Sequence, residues 1–368
     1  MSSASRPRVA VLYQSLDPPI IDGIKKPKKP GGYIDSGADI AYSLSLSSDI
    51  DVVCPIKDPN PKEQVGWSFP DTEQGIIQAV EKGATHLWAN TILFSTHPLQ
   101  VSAHLARFQD HVKIVRQSPL IAQKYDDKEF VNGFLRKLGG FTMPRSWTVH
   151  ESPDIEGGFQ ELDLPFPVVA KPIRGRGSHG VRVCRDLPGL AKHAQGLFKE
   201  SSAILLEEYL SGEEATVTVI PPVSGKGGYW ALPVVTRFNH VDGVAPYNGA
   251  VAVTENSRAI TAAESNEPTY KQVAEKCERA AQELAVTAPI RIDVRRFKDL
   301  ADSKFALFDV NMKPNMTGPS RPRREDQASL TLLAAEALGW DYQELLRHIL
   351  STCSTLRTLR DLKPRQLT

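Results

Sequence analysis

Two stretches, Pro289-Ile-Arg-Ile-Asp-Val-Arg295 and Phe305-Ala-Leu-Phe-Asp-Val-Asn-Met-Lys313, carry the period-two alternation that confines a segment to a strand with one apolar and one polar face. In the first, Ile290, Ile292 and Val294 alternate with Arg291, Asp293 and Arg295. In the second, Phe308, Val310 and Met312 alternate with Leu307, Asp309 and Asn311. The turn-like Lys298 to Lys304 segment joins them into a hairpin. If the hairpin is symmetric about Ala301, Asp293 lies opposite Asp309 and Arg291 opposite Asn311, with side chains about 5 Å apart on one face. Opposed carboxylates repel unless a cation separates them, and two Asp with one Asn form the all-oxygen set that Mg²⁺ prefers. On this motif alone a solvated polar hairpin face stands equally open.

The rest of the chain narrows the choice. Its 368 residues, 41% hydrophobic and 24% charged, suffice for two or three domains with real cores. A formal charge of +1 argues against general attraction to nucleic acid or an acidic membrane. The Lys25 to Lys29 cluster reads as solvated surface or as a loop that meets an acidic substrate near a cleft. Cys54, Cys184, Cys277 and Cys353 are scattered, which indicates neither zinc nor a disulfide framework and fits a reducing cytoplasm. No apolar run approaches the roughly 20 residues that span a bilayer.

Strand and helix signals alternate through the first third: Val9 to Tyr13, Ala38 to Leu46, Asp51 to Cys54, Glu73 to Lys82, His86 to Ala89, a helix over Pro98 to Phe108, then Lys113 to Val115. That rhythm predicts a parallel sheet covered by helices, with a domain boundary near residue 117. A helix bearing Phe130, Phe134, Leu135 and Leu138 stops at Gly139-Gly140. Short strands at Val168 to Ala170, Val181 to Val183 and Ile204 to Leu206, with a helix from Leu187 to Phe198, predict a small α+β unit. Ala215 to Ile220 and Tyr229 to Phe238 follow as a hairpin, and the long loop from Asn239 to Asn256 reads as a lid or an insert. The helix from Tyr270 to Leu284 leads into the opening hairpin, and two further helices follow. The division is 1–116, 117–213 and 214–368.

Val168-Val-Ala-Lys-Pro172 followed by Ile-Arg-Gly-Arg-Gly-Ser-His-Gly180 delivers a lysine beside a glycine loop, which suits phosphate: backbone N–H groups approach anionic oxygens while the ammonium offsets charge. The order is not that of a Walker loop. Ile204-Leu-Leu-Glu-Glu-Tyr-Leu-Ser-Gly-Glu-Glu214 is a buried strand running into carboxylates able to accept from an amino group or from hydroxyls.

In this order, with Ser118 to Lys128, Arg291-Ile-Asp293 and Asp309-Val-Asn-Met-Lys-Pro-Asn-Met-Thr317, these stretches resemble the ATP-grasp superfamily. Within it they look like the D-alanine-D-alanine ligase-like carboxylate-amine ligases, over roughly residues 117 to 350. The resemblance implies an N-terminal parallel α/β domain followed by two α+β subdomains that clamp ATP. It implies that Lys124, Lys171 and the backbone at Ser178 contact ATP phosphates, that Glu207, Tyr209 and Leu210 take the adenine, and that Glu214 takes the ribose. Asp293, Asp309 and Asn311 would hold Mg²⁺ or Mn²⁺. Arg291 would stabilise the tetrahedral intermediate, Asn315 would touch substrate, and Ser320 with Arg321 would bind the acceptor's carboxylate. The implied partners are a small-molecule carboxylate donor and an amine acceptor, with a homodimer formed through the first domain.

Departures from the family pattern point to a donor other than D-alanine. Gly177 stands where those enzymes carry a hydroxyl, Asp309 replaces a Glu, Asn315 replaces a Gly, and the first strand lacks a glycine pair. The lid lacks the family's lysine, leaving Arg237, His240 or Arg258 as substitutes, and Tyr247 and Asn248 are lid residues within reach of substrate. An ATP-grasp kinase and a nucleotide-binding protein without chemistry are the alternatives.

Overall fold

A computed structural model describes residues 6–26, 28–175, 177–223, 227–245 and 251–366; Tyr247 and Asn248 lie outside the described residues. The chain opens with β1 (Arg8–Tyr13), whose Val9, Ala10, Val11 and Leu12 are all buried, as a strand covered on both faces requires. A two-strand ribbon follows, β2 (Ile20–Ile21) and β3 (Ile24–Lys25), then a single 3-10 turn at Pro30–Tyr33. Gly32 lets that turn lie against the end of β1: its carbonyl accepts from Gln14 N at 2.8 Å, its φ is +57°, and a Cβ there would meet Gln14 O at 2.0 Å. The turn leads into α1 (Ile34–Ser45), β4 (Asp51–Val52), β5 (Ser68–Pro70), α2 (Glu73–Glu81), β6 (His86–Asn90), α3 (Pro98–Val101) and β7 (Lys113–Val115). β4, β5 and β6 all pair with β1 in parallel, and β7 pairs with β6 likewise. The expected parallel sheet is present.

The helix expected over Pro98 to Phe108 is shorter. Ser102 turns extended, its Oγ accepts from Leu105 N at 3.2 Å and its carbonyl from Arg360 at 2.8 Å, so α3 ends at Val101 and one 3-10 turn follows at Ala106–Phe108.

Next come α4 (Pro119–Tyr125), α5 (Lys128–Leu138), β8 (Ser146–His150), α6 (Ile155–Gln160), β9 (Val168–Pro172), β10 (Arg182–Cys184), α7 (Leu187–Leu197) and β11 (Ala203–Glu208). The four strands form an antiparallel sheet in the order β10-β9-β11-β8, with α7 packed beneath through Leu190, Ala191 and Ala194. A second antiparallel sheet is built from β12 (Glu214–Ile220), β13 (Trp230–Ala231), β14 (Val235–Arg237), the short α8 (Val253–Asn256) and β15 (Ser257–Ala259). The long α9 (Pro268–Glu283), β16 (Ile290–Arg296) and β17 (Phe305–Asn311) complete it. α9 buries Val273, Cys277, Ala280 and Ala281 against Val217, Ile292 and Leu307, and α10 (Leu330–Glu336) and α11 (Tyr342–Leu350) close its other side. The chain then returns to the first sheet: β18 (Ser354–Thr355) pairs antiparallel with β7, and α12 (Leu356–Asp361) packs on α3 and α4.

The opening hairpin has the expected register at its functional end, Arg291 opposite Asn311 and Asp293 opposite Asp309. Beyond it the register shifts, and Val294 faces Leu307. Phe308 is therefore an extra residue, a β-bulge, so Leu307 rather than Phe308 turns into the core while Phe308 faces the cleft. Simple alternation assigns Leu307 to the polar face and Phe308 to the apolar one, the reverse of what is found, because it cannot register an inserted residue.

Candidate active site

Between the two antiparallel sheets, and roofed by the first domain, lies a cavity of about 600 Å³. Its floor is the polar face of β16 and β17. Arg291 grips Asp293 with two hydrogen bonds, Nε to Oδ1 at 3.0 Å and Nη2 to Oδ2 at 3.2 Å. Thr216 Oγ1, across the strand pair on β12, donates to Asp293 Oδ1 at 2.6 Å, and Asn311 Nδ2 donates to Oδ2 at 3.1 Å. Burial raises the Asp293 pKa, but Arg291, Arg237 and the Thr216 hydroxyl outweigh it and hold the carboxyl below its ordinary range. The opposing Asp309 is met by Lys128 Nζ. Burial works against the Lys128 charge, yet Asp309, Asp126 and Asp293 raise its pKa above the ordinary lysine value. The repulsion expected between the two carboxylates is thus offset by one cation on each, and the three side chains keep the all-oxygen composition that suits a hard divalent ion.

Lys171 reaches across the cleft. Its ammonium donates to Glu207 Oε2 at 2.6 Å and to the Phe308 carbonyl at 3.1 Å, so the backbone acceptor at the bulge is satisfied from the opposite sheet. Glu207 also accepts from Asn132 Nδ2 at 3.0 Å. The β11–β12 link adds Tyr209 and the buried Leu210 to the wall, with the Arg295 guanidinium 5.1 Å from the Tyr209 ring centroid. Glu214, the first residue of β12, is enclosed by Arg237 (3.1 Å), His240 (2.9 Å) and Arg295 (3.6 Å). Ser178 lines the opposite rim with φ +58°, following Gly177 at +57°, and its Oγ donates to Ala245 O on the lid at 3.4 Å. Gly243, Val244, Ala245 and Val251 to Val253 bring the lid over the cavity. Asn315 lines it too, its Oδ1 accepting from Thr317 Oγ1 at 3.1 Å.

Three expected positions lie elsewhere. Lys124 is exposed on α4 with Nζ 3.9 Å from the Phe130 ring centroid, and the lysine that enters the cavity is Lys128, the first residue of α5. Asp127 caps α5, its side chain accepting from Phe130 N at 2.9 Å, and an Asp at this place is a sequence signal for a helix start. Ser320 and Arg321 do not line the cavity. Ser320 Oγ donates to Asp39 O at 2.9 Å; Arg321, 3% exposed, donates to Asp39 Oδ1 at 2.8 Å, to Glu63 O at 2.8 Å and to Asp35 O at 3.3 Å. Asp39 is a fully buried carboxylate on α1 that needs cationic partners, which draws this pair away from substrate. Of the three lid substitutes, Arg258 is taken outward by Glu264 at 2.7 Å, while Arg237 faces the cavity. Lys29, from the Lys25 to Lys29 cluster expected near a cleft, also lines the cavity, as do Tyr33, Arg295 and Lys313, for which no role was expected.

Two antiparallel sheets gripping a charged cleft, behind a parallel α/β domain, define an ATP-grasp fold. Solved structures agree on that architecture. A D-alanine-D-alanine ligase from Bacillus anthracis complexed with ATP superposes with a TM-score of 0.64 at 19% identity, covering 97% of this chain and 99% of that one. A D-Ala:D-Ser ligase from Enterococcus faecalis does so at 0.62 and 13%, covering 94% and 99%. By sequence, residues 145–351 match the model of the family described as D-ala D-ala ligase C-terminus, and the chain belongs to that family. It is 27% identical over 231 residues to the D-alanine–D-alanine ligase of Aquifex aeolicus, spanning 61% of this chain and 68% of that enzyme. It is 29% identical over 201 residues to that of Bacillus anthracis, spanning 54% and 58%. The B. anthracis match thus spans little more than half of that enzyme's length.

Among the described residues, no helix is long and apolar enough to cross a membrane.

Proposed function

We infer that this protein is an ATP-dependent carboxylate-amine ligase, which joins the carboxylate of one small molecule, an amino acid in the simplest case, to the amine of another and releases ADP and phosphate. The observation that carries the reading is the juxtaposition of the Arg291–Asp293 pair with Asp309 and Asn311 on one face of the cleft, opposite Lys171 and beside Lys128. The donor set fits Mg²⁺, with Asp293, Asp309 and Asn311 as its holders. Lys171, the Ser178 loop, Glu207, Tyr209, Leu210 and Glu214 would hold the nucleotide. Bound Mg-ATP would supply the phosphoryl group that turns a carboxylate oxygen into a phosphate leaving group.

The chain's own contribution is electrostatic. Lys128 and Lys171 would offset negative charge at the carboxylate under activation. The Arg291 fork, held in place by Asp293, would meet the oxyanion that forms when the amine nitrogen bonds to the carbonyl carbon and before the C–O bond to phosphate breaks. The lid segment would keep water from hydrolysing the activated acyl group. Gly177 and Lys313 at the site favour a substrate other than D-alanine.

Incubation with Mg-ATP and pools of amino acids, with ADP and AMP followed by chromatography and products by mass spectrometry, tests the reading. Carboxylate-dependent ADP together with an amide product is expected. A stable phosphorylated product, or turnover in Arg291→Gln and Asp309→Asn variants equal to that of the parent protein, would overturn it. Loss of one such charge should lower the rate on the order of 10² to 10³.

A further inference from the structure

Most cations around the cavity have a carboxylate: Lys128 has Asp309, Lys171 has Glu207, Arg291 has Asp293, and Arg237 and His240 share Glu214. The end of the cavity closed by the first domain differs. Lys313 lies two residues beyond Asn311, and the polar-inward alternation continues past β17, since Asn311, Lys313 and Asn315 all line the cavity. Its ammonium sits 3.5 Å from the centroid of the Tyr33 ring and donates to Asn90 Oδ1 at 2.9 Å. Lys29 lies 4.8 Å from the centroid of the same ring.

The nearby Arg116 has a buried Nε with no hydrogen-bond partner. Among the described residues, no carboxylate is within ion-pair distance of Lys313 or Arg116; Asp35, which lines the cavity, is 3.3 Å from Lys29. Arg116 and Lys29 are the charged neighbours of Lys313 that share its sign, and Asp35 is its neighbour of opposite sign. Burial pushes Arg116 down to about 10. Gathering cations in a desolvated corner without a matching anion costs stability, so the arrangement calls for a ligand that brings the anion.

We propose that Lys313, with Arg116 and Lys29 beside it, forms an anion subsite that binds a carboxylate of the small-molecule substrates other than the one that is activated. The subsite deepens the ligase reading and rests on it. The carboxylate comes either from the side chain of an acidic donor or from the α-carboxylate of the acceptor. Both present the same chemistry to Lys313, and kinetics separates them.

The test compares glutamate and aspartate with glutamine and asparagine as donors, and amino acids with their α-amides as acceptors, by ADP release with the parent protein and with Lys313→Met. The KM of the partner whose carboxylate binds there should rise roughly 10- to 100-fold, the cost of removing a charged hydrogen-bond partner. Lys313→Arg should restore it. Calorimetric affinity for Mg-ADP should stay unchanged, and the melting temperature of Lys313→Met should be equal or higher, because a desolvated cation has gone. Loss of the acid-over-amide preference for the donor assigns the subsite to the donor, and loss for the acceptor assigns it to the acceptor. Unchanged KM values for both in Lys313→Met would overturn the proposal. If no compound releases ADP, the ligase reading fails by itself, and calorimetry of glutarate with Mg-ADP-loaded protein still decides the subsite. Binding that disappears in Lys313→Met supports it, whereas equal or absent binding sinks it.

Discussion

Asp39 shows how a single buried charge redirects residues that a motif assigns to chemistry. Arg321 and Arg324 both bond its carboxylate, at 2.8 Å, beneath the first domain. Replacing Arg321 by Met should therefore lower stability by about 3 kcal/mol, since it strips one partner from a buried ion, and leave both substrate KM values unchanged. Urea denaturation beside steady-state kinetics separates this from a substrate-binding role, which would raise KM instead. His86 on β6 gives a second residue-level outcome. Burial, then Lys113, depresses its pKa from 6.5 to about 4. The unfolded chain takes up a proton near pH 6.5 while the folded one resists until about 4, so this histidine destabilises the fold as pH falls through that window. With allowance for solvent screening the loss is about 1 to 2 kcal/mol. His86→Gln should flatten the decline between pH 7 and 4.5 in chemical denaturation.

At the scale of elements, what was legible in the sequence is what strict periodicity carries. The β16–β17 register at Asp293 and Asp309 follows from alternation and a symmetric turn, and the β9 and β11 strands with Lys171 and Glu207 follow from apolar runs ending in charge. The bulge at Phe308 was not legible, because it inserts within a pattern that otherwise continues, whereas the start of α5 carries its own signal in the Asp127 cap. The resemblance implies Lys124, whereas the lysine that lines the cavity is Lys128, about one helical turn further on. The turn carrying Lys29 and Tyr33 is equally invisible to periodicity, since Gly32 sets it through a close backbone approach. Gly32→Ala should lower the denaturation midpoint by an amount equal to about 2 kcal/mol or more, because the added methyl collides with the Gln14 carbonyl at a left-handed φ. Mg-ADP affinity should be retained, as the β11–β12 link is remote in sequence and belongs to other sheets. A variant as stable as the parent would show that the turn can lift away from β1.

For the molecule as a whole, chain order misleads most at the C-terminal end, where residues adjacent to the third unit in sequence complete the first in space. Boundaries near 116 and 213 remain our proposal for the division, with residues 354–361 assigned to the first unit. β18 extends the parallel sheet antiparallel to β7, Leu356 N donates to Val112 O at 2.9 Å, and Leu356 and Leu359 are buried among Leu99, Leu105 and Ile114. Arg360 anchors the helix by donating to the carbonyls of Leu99 and Ser102, both at 2.8 Å. This return strap ties the roof of the cavity, which carries Lys29, Tyr33 and Asp35, to the sheet that carries Asp293 and Asp309. Leu359→Ala should cost about 2 to 4 kcal/mol through the void it leaves. Its local signature should be faster amide exchange in β6, β7 and α3, with β9 and β11 unchanged, read by hydrogen–deuterium exchange and mass spectrometry. Exchange that accelerates in β16 and β17 instead would place the strap in the third unit. Because the roof holds Lys29 and Tyr33 against Lys313 in the anion subsite while β16–β17 supply the activation residues, loosening the strap should raise substrate KM before it lowers Mg-ADP affinity.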